Sequence, residues 1–264
     1  MFPIGPLGLI ACGLSQNVLL VRVPKTASGT VVTALNKWRQ YGLCNISSLV
    51  TVHSPEHRFI RPTTAQLNAA DKVIVTSRDP LNRFVSAFNW RHPRNGEKTH
   101  NTALSQNGYQ FENRLYACFQ HVGELADALV RSRHDMLNHI NISMCARVAW
   151  EACSTEMGDD FSRGGDSMIH AGLSSYVNPA GPSAFLARPL RIILQEDMSA
   201  SLDRLYRWLE CDRLQERPAI PSVHTMYPGK NDTYLSPMGA QMLRFALGDD
   251  YAMHNNLLSP DSHA

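Results

Sequence analysis

The sequence lacks an excess of either charge, a long hydrophobic run and a paired-cysteine motif. Its 264 residues carry 25 Lys and Arg against 23 Asp and Glu, so the formal net charge is only +2. General nucleic-acid binding rests on a basic surface, and this balance does not favour it, although local basic patches remain compatible. Charged residues make up 18% and hydrophobic residues 44% of the chain, which indicates a folded globular protein and excludes a disordered one.

The N-terminal run FPIGPLGLIACGL is apolar but contains two prolines and is too short to span a bilayer. It lacks a basic n-region, so it is a poor secretory signal as well. We therefore expect no membrane span and no anchor within this chain. The length suits one domain over residues 1–264, with residues 1–16 as a peripheral segment.

The cysteines are scattered, and none shows the CxxC spacing of a zinc or redox site. Six buried thiols are one interpretation. Cys145 and Cys153 are near in sequence, but eight residues along one helix would hold them too far apart. Three Asn-x-Ser/Thr patterns, at Asn45, Asn141 and Asn231, suit a secretory protein, although about two are expected by chance.

Short apolar segments that end at proline or polar residues predict β-strands. They cover residues 17–23, 47–55, 71–80 and 190–197. Helical periodicity covers residues 28–41, 80–91, 111–133 with an interruption near Gly123, 135–153, 200–209 and 238–247. Strands that alternate with helices predict an α/β fold, a single P-loop-like domain with a central, mostly parallel sheet flanked by helices.

The stretch NVLLVRVPKTASGT runs from a predicted strand into a loop that opens a helix. The backbone N–H groups of residues 26–30 should then be unpaired at the helix N-terminus, where the helix dipole adds partial positive charge. Gly29 permits a close approach, and Lys25 adds a full charge. Ser28 and Thr30 add hydroxyl donors. These features predict an anion site of the kind that binds phosphate.

This loop differs from the GxxxxGK[ST] loop of ATP- and GTP-using enzymes. No glycine precedes Lys25 at the required spacing, and no Lys-Ser/Thr pair follows Gly29. The strand at 73–77 leads into Arg rather than a magnesium-binding Asp. A triphosphate with Mg²⁺ is therefore disfavoured, and we expect no metal. A strand–turn–helix without a ligand remains the alternative.

A second stretch, SRDPLNRFVSAF, places Arg78 at the carboxyl end of a predicted strand, with Ser86 two turns into the next helix. Ligands of open parallel sheets bind at the carboxyl ends of strands. Arg78, through charge-assisted hydrogen bonds, and Ser86, through its hydroxyl, are expected to converge on a second phosphate. A surface ion pair between Arg78 and Asp79 is the alternative.

Together, VPKTASGT and RDPLNRFVSAF resemble the two signature motifs of sulfotransferases that use 3′-phosphoadenosine 5′-phosphosulfate (PAPS). The first resembles the 5′-phosphosulfate loop and the second the 3′-phosphate site. The residue sequences of the two motifs are most similar to those of Golgi carbohydrate sulfotransferases, especially the uronyl 2-O type. Weaker similarity extends to RIILQED and to LSPMGAQMLRFALGDDYAM, and we do not match residues 92–190 to the family.

The resemblance implies a sulfuryl transfer from PAPS to an acceptor hydroxyl, as on a carbohydrate. Lys25 would contact the 5′-phosphosulfate and stabilise charge on the leaving oxygen. Arg78 and Ser86 would hold the 3′-phosphate. The residues that would wrap the 5′-phosphate are Thr26, Ala27, Ser28, Gly29 and Thr30. The order of the loop, in which Lys25 precedes Gly29, then fits a donor that needs no Mg²⁺.

The acceptor hydroxyl must lose a proton as it attacks, and a group that titrates near neutral pH suits that task. His53, at the end of the second predicted strand and on the same edge of the sheet as Lys25, is our candidate base. Glu56 and His57 are the second choice, and His170 is a more distant one.

The resemblance also implies that a basic loop with Lys230 and Asn231 closes the nucleotide site, although a plain turn in PGKND fits that sequence better. It further implies a Golgi or secretory lumen, with the cytoplasm as the alternative, and a short-loop disulfide, for which Cys145–Cys153 is the predicted pair. Two other functions remain open: a nucleotide kinase or NTPase, and a non-catalytic nucleotide-binding module.

Overall fold

The computed structural model describes residues 15–52, 62–93, 106–138, 141–153, 169, 172–177, 180–211, 218–220 and 234–258. Its centre is a four-stranded sheet in which every pairing is parallel. The strands are β1 Gln16–Val21, β2 Ile46–Val52, β3 Lys72–Ser77 and β4 Leu190–Leu194. All four overlap the predicted segments, although β1 and β2 each begin one residue earlier than predicted, so the predicted α/β fold with a parallel sheet is confirmed.

Helices surround this sheet. They are α1 Ser28–Gln40, α2 Thr64–Ala69, α3 Pro80–Arg91, α4 Gln106–Cys118, α5 Val122–Leu137, α6 Met144–Cys153, α7 Leu173–Val177, α8 Pro182–Leu186, α9 Met198–Trp208, α10 Pro237–Ala246 and α11 Gly248–Leu258. Among the predicted helices, α1 and α3 begin where expected. The sequence missed α2, α7, α8 and α11.

One predicted helix, over 111–133, is in fact two. The break falls between α4 and α5, before Gly123, where the Glu124 side chain caps a new helix. Its carboxylate accepts the backbone N–H groups of Gln120, at 2.7 Å, and His121, at 3.2 Å, and so caps the start of α5. The helix predicted over 135–153 is also wrong in its first half, since α5 continues to Leu137 and α6 begins only at Met144.

The strands are buried on both faces, which explains their continuous apolar runs. Helices α1 and α9 cover one face, against side chains such as Leu20 and Ile74. Helices α2, α7, α8 and α11 cover the other, against side chains such as Leu19 and Val75. A third core joins α3, α4, α5, α6 and α10. Among the described residues, no helix is long and apolar enough to cross a membrane.

The strand order β2-β1-β3-β4 creates a crevice between β1 and β3. The chain leaves β1 toward β2 on one side and returns to β3 on the other. Such a reversal opens a gap at the carboxyl ends of the two strands, where ligands of open α/β sheets bind. The loop after β1 begins the PKTASGT stretch, and the loop after β3 carries Arg78.

The cysteines form two disulfides, Cys44–Cys211 and Cys118–Cys145, and Cys153 is a buried free thiol. The predicted Cys145–Cys153 pair is wrong. Both residues lie on α6, where eight residues span about 12 Å along the axis, beyond the reach of a disulfide. Cys118 ends α4 beside the start of α6, with its Cα 5.5 Å from that of Cys145.

Candidate active site

The loop after β1 has an unusual backbone at two residues. Lys25 (φ 63°) and Ala27 (φ 52°) are both left-handed, a conformation that side chains disfavour and that persists mainly at functional sites. Such turns direct successive N–H groups inward and form anion-binding nests. Ala27 caps α1 without a side-chain hydrogen bond, so the cap residue satisfies none of the N–H groups at the helix N-terminus with its side chain.

The sequence predicted unpaired backbone N–H groups at residues 26–30, but the last of these, at Thr30, is paired. The N–H of Thr30 donates to the carbonyl of Ala27, at 3.0 Å. Nothing in the described part of the chain accepts from the N–H groups of Ala27, Ser28 or Gly29. The anion site therefore rests on the first turn of α1 and its cap.

The hydroxyl of Thr26 points away from that site. It donates to the carbonyl of Val23, at 2.6 Å, and lies 2.7 Å from the hydroxyl of Thr76 on β3. Thr76 also accepts the N–H of Val23, at 3.1 Å. Thr26 is completely buried, so it fixes the loop to the neighbouring strand and offers a ligand only its backbone. The sequence motif showed which residues belong to the loop but did not separate this role from binding.

Lys25 lies beside an aromatic ring that the sequence analysis did not include. Its Nζ is 3.8 Å from the ring centroid of Trp90, on α3. Burial, and then the positive charge of Arg78, lowers the pKa of Lys25 to about 8. An anion between the two cations would relieve both effects, because it adds the missing opposite charge.

Arg78 also belongs to this cluster. Its Nη1 donates to the carbonyl of Lys25, at 3.4 Å, which is a long hydrogen bond. Its Nε is 3.9 Å from the Glu196 carboxylate, at the limit of an ion pair. Burial lowers the pKa of Arg78, while Glu196 and Asp79 raise it. Both contacts are loose, so the guanidinium keeps donors for a ligand.

Asp79 is not mainly an ion-pair partner of Arg78. One carboxylate oxygen accepts the N–H of Asn82, at 2.9 Å, and caps α3; the other accepts the Tyr251 hydroxyl, at 3.0 Å. Ser86 is half-buried two turns into α3, and among the described residues its hydroxyl has no hydrogen-bond partner. The structure thus places Arg78 against Lys25, while the convergence of Ser86 on the same ligand remains a prediction.

A cavity of about 610 Å³ lies between α1 and α9 and adjoins the Lys25 loop. Its walls are Ala27, Thr30, Trp38, Gln195, Met198, Ser199, Leu202, Asp203, Pro218 and Ile220. The side-chain oxygen of Gln195 is buried there without a partner among the described residues. The sequence analysis missed this cavity because residues from three distant segments form it.

One histidine that the sequence analysis did not propose as a site residue, His254, contacts the last residue of β3. The Nδ1 of His254, on α11, is 2.9 Å from the hydroxyl of Ser77. Burial lowers the pKa of His254, against smaller opposing effects of Asp79, Glu196 and Asp250. The position of α11, a helix that the sequence did not predict, explains why His254 was missed.

Several predicted residues lie outside the described part of the chain. They are His53, Glu56, His57, His170, Lys230 and Asn231. β2 ends at Val52, which pairs with Val21 at the end of β1. In the described ranges, no three His, Cys, Asp or Glu side chains form a group that could hold a metal ion.

The geometry described so far defines a parallel α/β protein with a cationic, phosphate-type site at its sheet crevice. The sequence profile of the sulfotransferase family matches residues 14–163, more than half of the chain. The chain therefore belongs to the sulfotransferase family, and it is a sulfotransferase. The matched range includes the loop of Lys25 and the segment from Arg78 to Ser86. No curated protein and no solved structure matches the chain.

Proposed function

We propose that this sulfotransferase transfers the sulfuryl group of PAPS to a hydroxyl of a carbohydrate acceptor. The observation that carries the proposal is the contact between the Lys25 loop and Arg78 at the carboxyl ends of adjacent strands. Two anion-binding elements at one crevice suit a nucleotide with phosphate on both sides of its ribose. The residues present fit such a donor, since they supply N–H groups, two cations and an adjoining cavity.

The cavity supports the nucleotide part of this proposal. Its volume of about 610 Å³ lies within the range of about 300–1,000 Å³ that is common for small-molecule sites. Because Ala27 and Thr30 belong both to the loop and to the cavity wall, a group bound at the helix N-terminus reaches directly into it. The orphaned oxygen of Gln195 offers an acceptor there for an amino group.

When bound, PAPS supplies an activated sulfuryl group whose departure leaves negative charge on a phosphate oxygen. Lys25 in its ammonium form stabilises that charge, together with the N–H groups of the first turn of α1. Removal of one such donor from a preorganised site commonly reduces kcat by about 10²–10³-fold. Arg78 binds the second phosphate and thereby fixes the donor in register with Lys25.

We propose His53 as the base that takes the proton of the acceptor hydroxyl. It follows Val52 directly, and Val52 lies beside Val21 at the edge of the sheet where Lys25 is found. Thr26, Ala27, Ser28, Gly29, Thr30, Ser86 and Lys230 remain our proposed donor-binding residues, with Thr26 acting through its backbone only. We also propose a secretory or Golgi lumen, which the two disulfides support because the cytosol keeps thiols reduced.

The test combines binding and turnover. Calorimetry should show that 3′,5′-bisphosphoadenosine binds without Mg²⁺ and more tightly than ATP. Incubation with PAPS and a panel of unsulfated glycans, scored by product mass, should give one sulfated product. Tighter binding of ATP with Mg²⁺ than of the bisphosphate would point instead to a nucleotide kinase. Bisphosphate binding without transfer to any acceptor would point to a binding module.

Variants separate the proposed roles. Lys25→Met should reduce kcat by about 10²–10³-fold. Lys72→Met is the matched control, because Lys72 also lies over an indole ring but at the amino end of β3. Arg78→Met should mainly weaken bisphosphate binding, and His53→Ala should reduce turnover while binding persists. Full activity of Lys25→Met would exclude the leaving-group role.

A further inference from the structure

The contact between Trp90 and Lys25 carries an inference that rests on the proposed function. Trp90 lies on α3, one turn beyond Ser86, so the two side chains share a face of the helix. The Lys25 ammonium stands 3.8 Å from the centre of the indole ring, in direct contact with its face. We propose that Trp90 is a positioning residue that holds the charged form of Lys25 toward α3 until the donor binds.

The surroundings of Lys25 explain why a ring is needed. From the end of β3 it faces the positive Arg78, and from α3 it faces the indole. The Glu196 carboxylate already contacts Arg78 and the N–H of Asp79. The electron-rich face of Trp90 is therefore the described group that favours the ammonium over the neutral amine.

A ring also suits an anion site better than a carboxylate would. A carboxylate in contact with Lys25 would repel the incoming phosphate and hold the ammonium firmly. A cation–π contact is weak, so a phosphate can replace it. The ring thus keeps Lys25 charged and oriented without adding negative charge to the donor site.

The critical comparison is between Trp90→Phe and Trp90→Leu. Both substitutions shorten the side chain and relax the burial of Lys25 to a similar degree, but only Phe retains an aromatic face. The pKa of Lys25 should be about half a unit to one unit higher in the Phe variant than in the Leu variant. The alkaline limb of kcat/KM, which reports the free enzyme, should move by the same amount.

Two readouts keep this proposal separate from the proposed function. Competitive acetylation of the Lys25 amine across a pH series, followed by peptide mass, gives its pKa without any turnover. Trp208→Leu is the matched control, because Trp208 contacts Lys72 at the opposite edge of the sheet. That variant should leave both the Lys25 titration and the kcat/KM profile unchanged.

The outcomes are distinct. A pKa in the Leu variant equal to or above that in the Phe variant overturns the role of Trp90. The expected order of pKa values, found in a protein that sulfates nothing, overturns the proposed function and leaves the lysine–indole contact supported. Equal loss of stability and activity in both Trp90 variants, with one common pKa, shows a packing role only and also overturns the proposal.

A second inference is independent of the reaction and concerns Asn141. Asn141 is exposed in the connection between α5 and α6, outside both helices. Ser143, two residues on, completes an Asn-x-Ser pattern, and its hydroxyl accepts the N–H of Ala146 at the start of α6. The two disulfides indicate folding in an oxidising compartment, where such patterns are modified.

We infer that Asn141 is an N-glycosylation site. Its Nδ2 would form a bond to the anomeric carbon of an oligosaccharide carried on a lipid diphosphate. The bond from that carbon to the diphosphate breaks, the lipid diphosphate leaves, and the amide loses one proton. Asn141 is exposed and, among the described residues, its side chain has no hydrogen-bond partner, so a glycan attached there would break no such bond.

The test expresses the full chain behind a secretory leader in cultured animal cells. Peptide-N-glycosidase treatment should increase the mobility of the wild-type chain, and Asn141→Gln should remove one glycan. Ser143→Thr keeps the pattern and the helix cap, so it should stay modified. An unmodified Asn141 peptide in the secreted wild-type protein overturns the inference.

Discussion

Nucleotide binding should draw a proton from solution at alkaline pH, because Lys25 is the group whose charge the bound anion restores. Burial and Arg78 lower the pKa of Lys25 to about 8 in the protein without ligand. At pH 8 the lysine is therefore about half protonated. A phosphate in contact with the ammonium favours its charged form and returns the pKa toward its ordinary value.

The expected uptake is about half a proton for each 3′,5′-bisphosphoadenosine bound at pH 8, and almost none at pH 6.5, where Lys25 is already charged. The ligand phosphates, whose second pKa is about 6, are fully ionised at the higher pH and add little there. The same lowered pKa makes stability rise with pH between about 8 and 10.5 in the free protein, since the unfolded chain binds more protons in that window.

The assay is titration calorimetry in zwitterionic buffers of different ionisation enthalpy, which avoids competing anions. The slope of observed enthalpy against buffer enthalpy gives the protons taken up. Lys25→Arg, which stays charged throughout, should bind without uptake at pH 8. Equal uptake by the wild-type protein and Lys25→Arg, or no uptake by the wild type at pH 8, would refute the assignment of a lowered pKa to Lys25.

Three further predictions concern stability. Arg91→Met should lower the free energy of unfolding by about 3–5 kcal/mol, because it removes the arginine that pairs with the buried Glu112 carboxylate, and joint replacement with Glu112→Leu should recover part of the loss in urea titration. Gly172→Ala should lower the melting temperature, because a Cβ at this position would stand 1.7 Å from a carboxylate oxygen of Asp250, on α11. An unchanged melting temperature would contradict that packing. Loss of the bond between Cys44 and Cys211, by double replacement with Ala, should destabilise the chain by up to about 5 kcal/mol in the loop-entropy estimate for a separation of 167 residues, and non-reducing peptide mapping should first show that pair.

The strands were predictable because their side chains face apolar layers on both sides. Leu19 and Leu20, adjacent in sequence, pack into different cores, so a continuous apolar run is the pattern that two-sided burial requires. The anion loop was predictable because its chemistry is local to one stretch. Helix α3 began at Pro80 as expected, since proline suits the first turn and Asp79 caps it.

The features that the sequence did not predict depend on contacts between distant segments. Nothing in the sequence distinguishes Trp90 from the other aromatic residues, because its contact with Lys25 arises only when α3 packs beside the loop. The Cys118–Cys145 bond follows from the packing of α4 against α6, which no spacing encodes. Helix α11 was missed because it lacks an apolar stripe: it buries Met253 and Leu257 beside the charged Asp250. That carboxylate accepts the N–H and hydroxyl of Ser174, a partner 76 residues away.

The Cys44–Cys211 bond also determines how force would pass through this molecule. It joins Cys44, two residues before β2, to Cys211, shortly after α9, so the covalent path between the termini bypasses everything from 45 to 210. The Lys25 loop lies outside that closed ring, whereas Arg78 lies inside it. Tension on the two ends would therefore be carried by the segment that contains Lys25. It would reach Arg78 through noncovalent contacts, among them the pairing of β1 with β3 and the hydrogen bond from Arg78 to the carbonyl of Lys25.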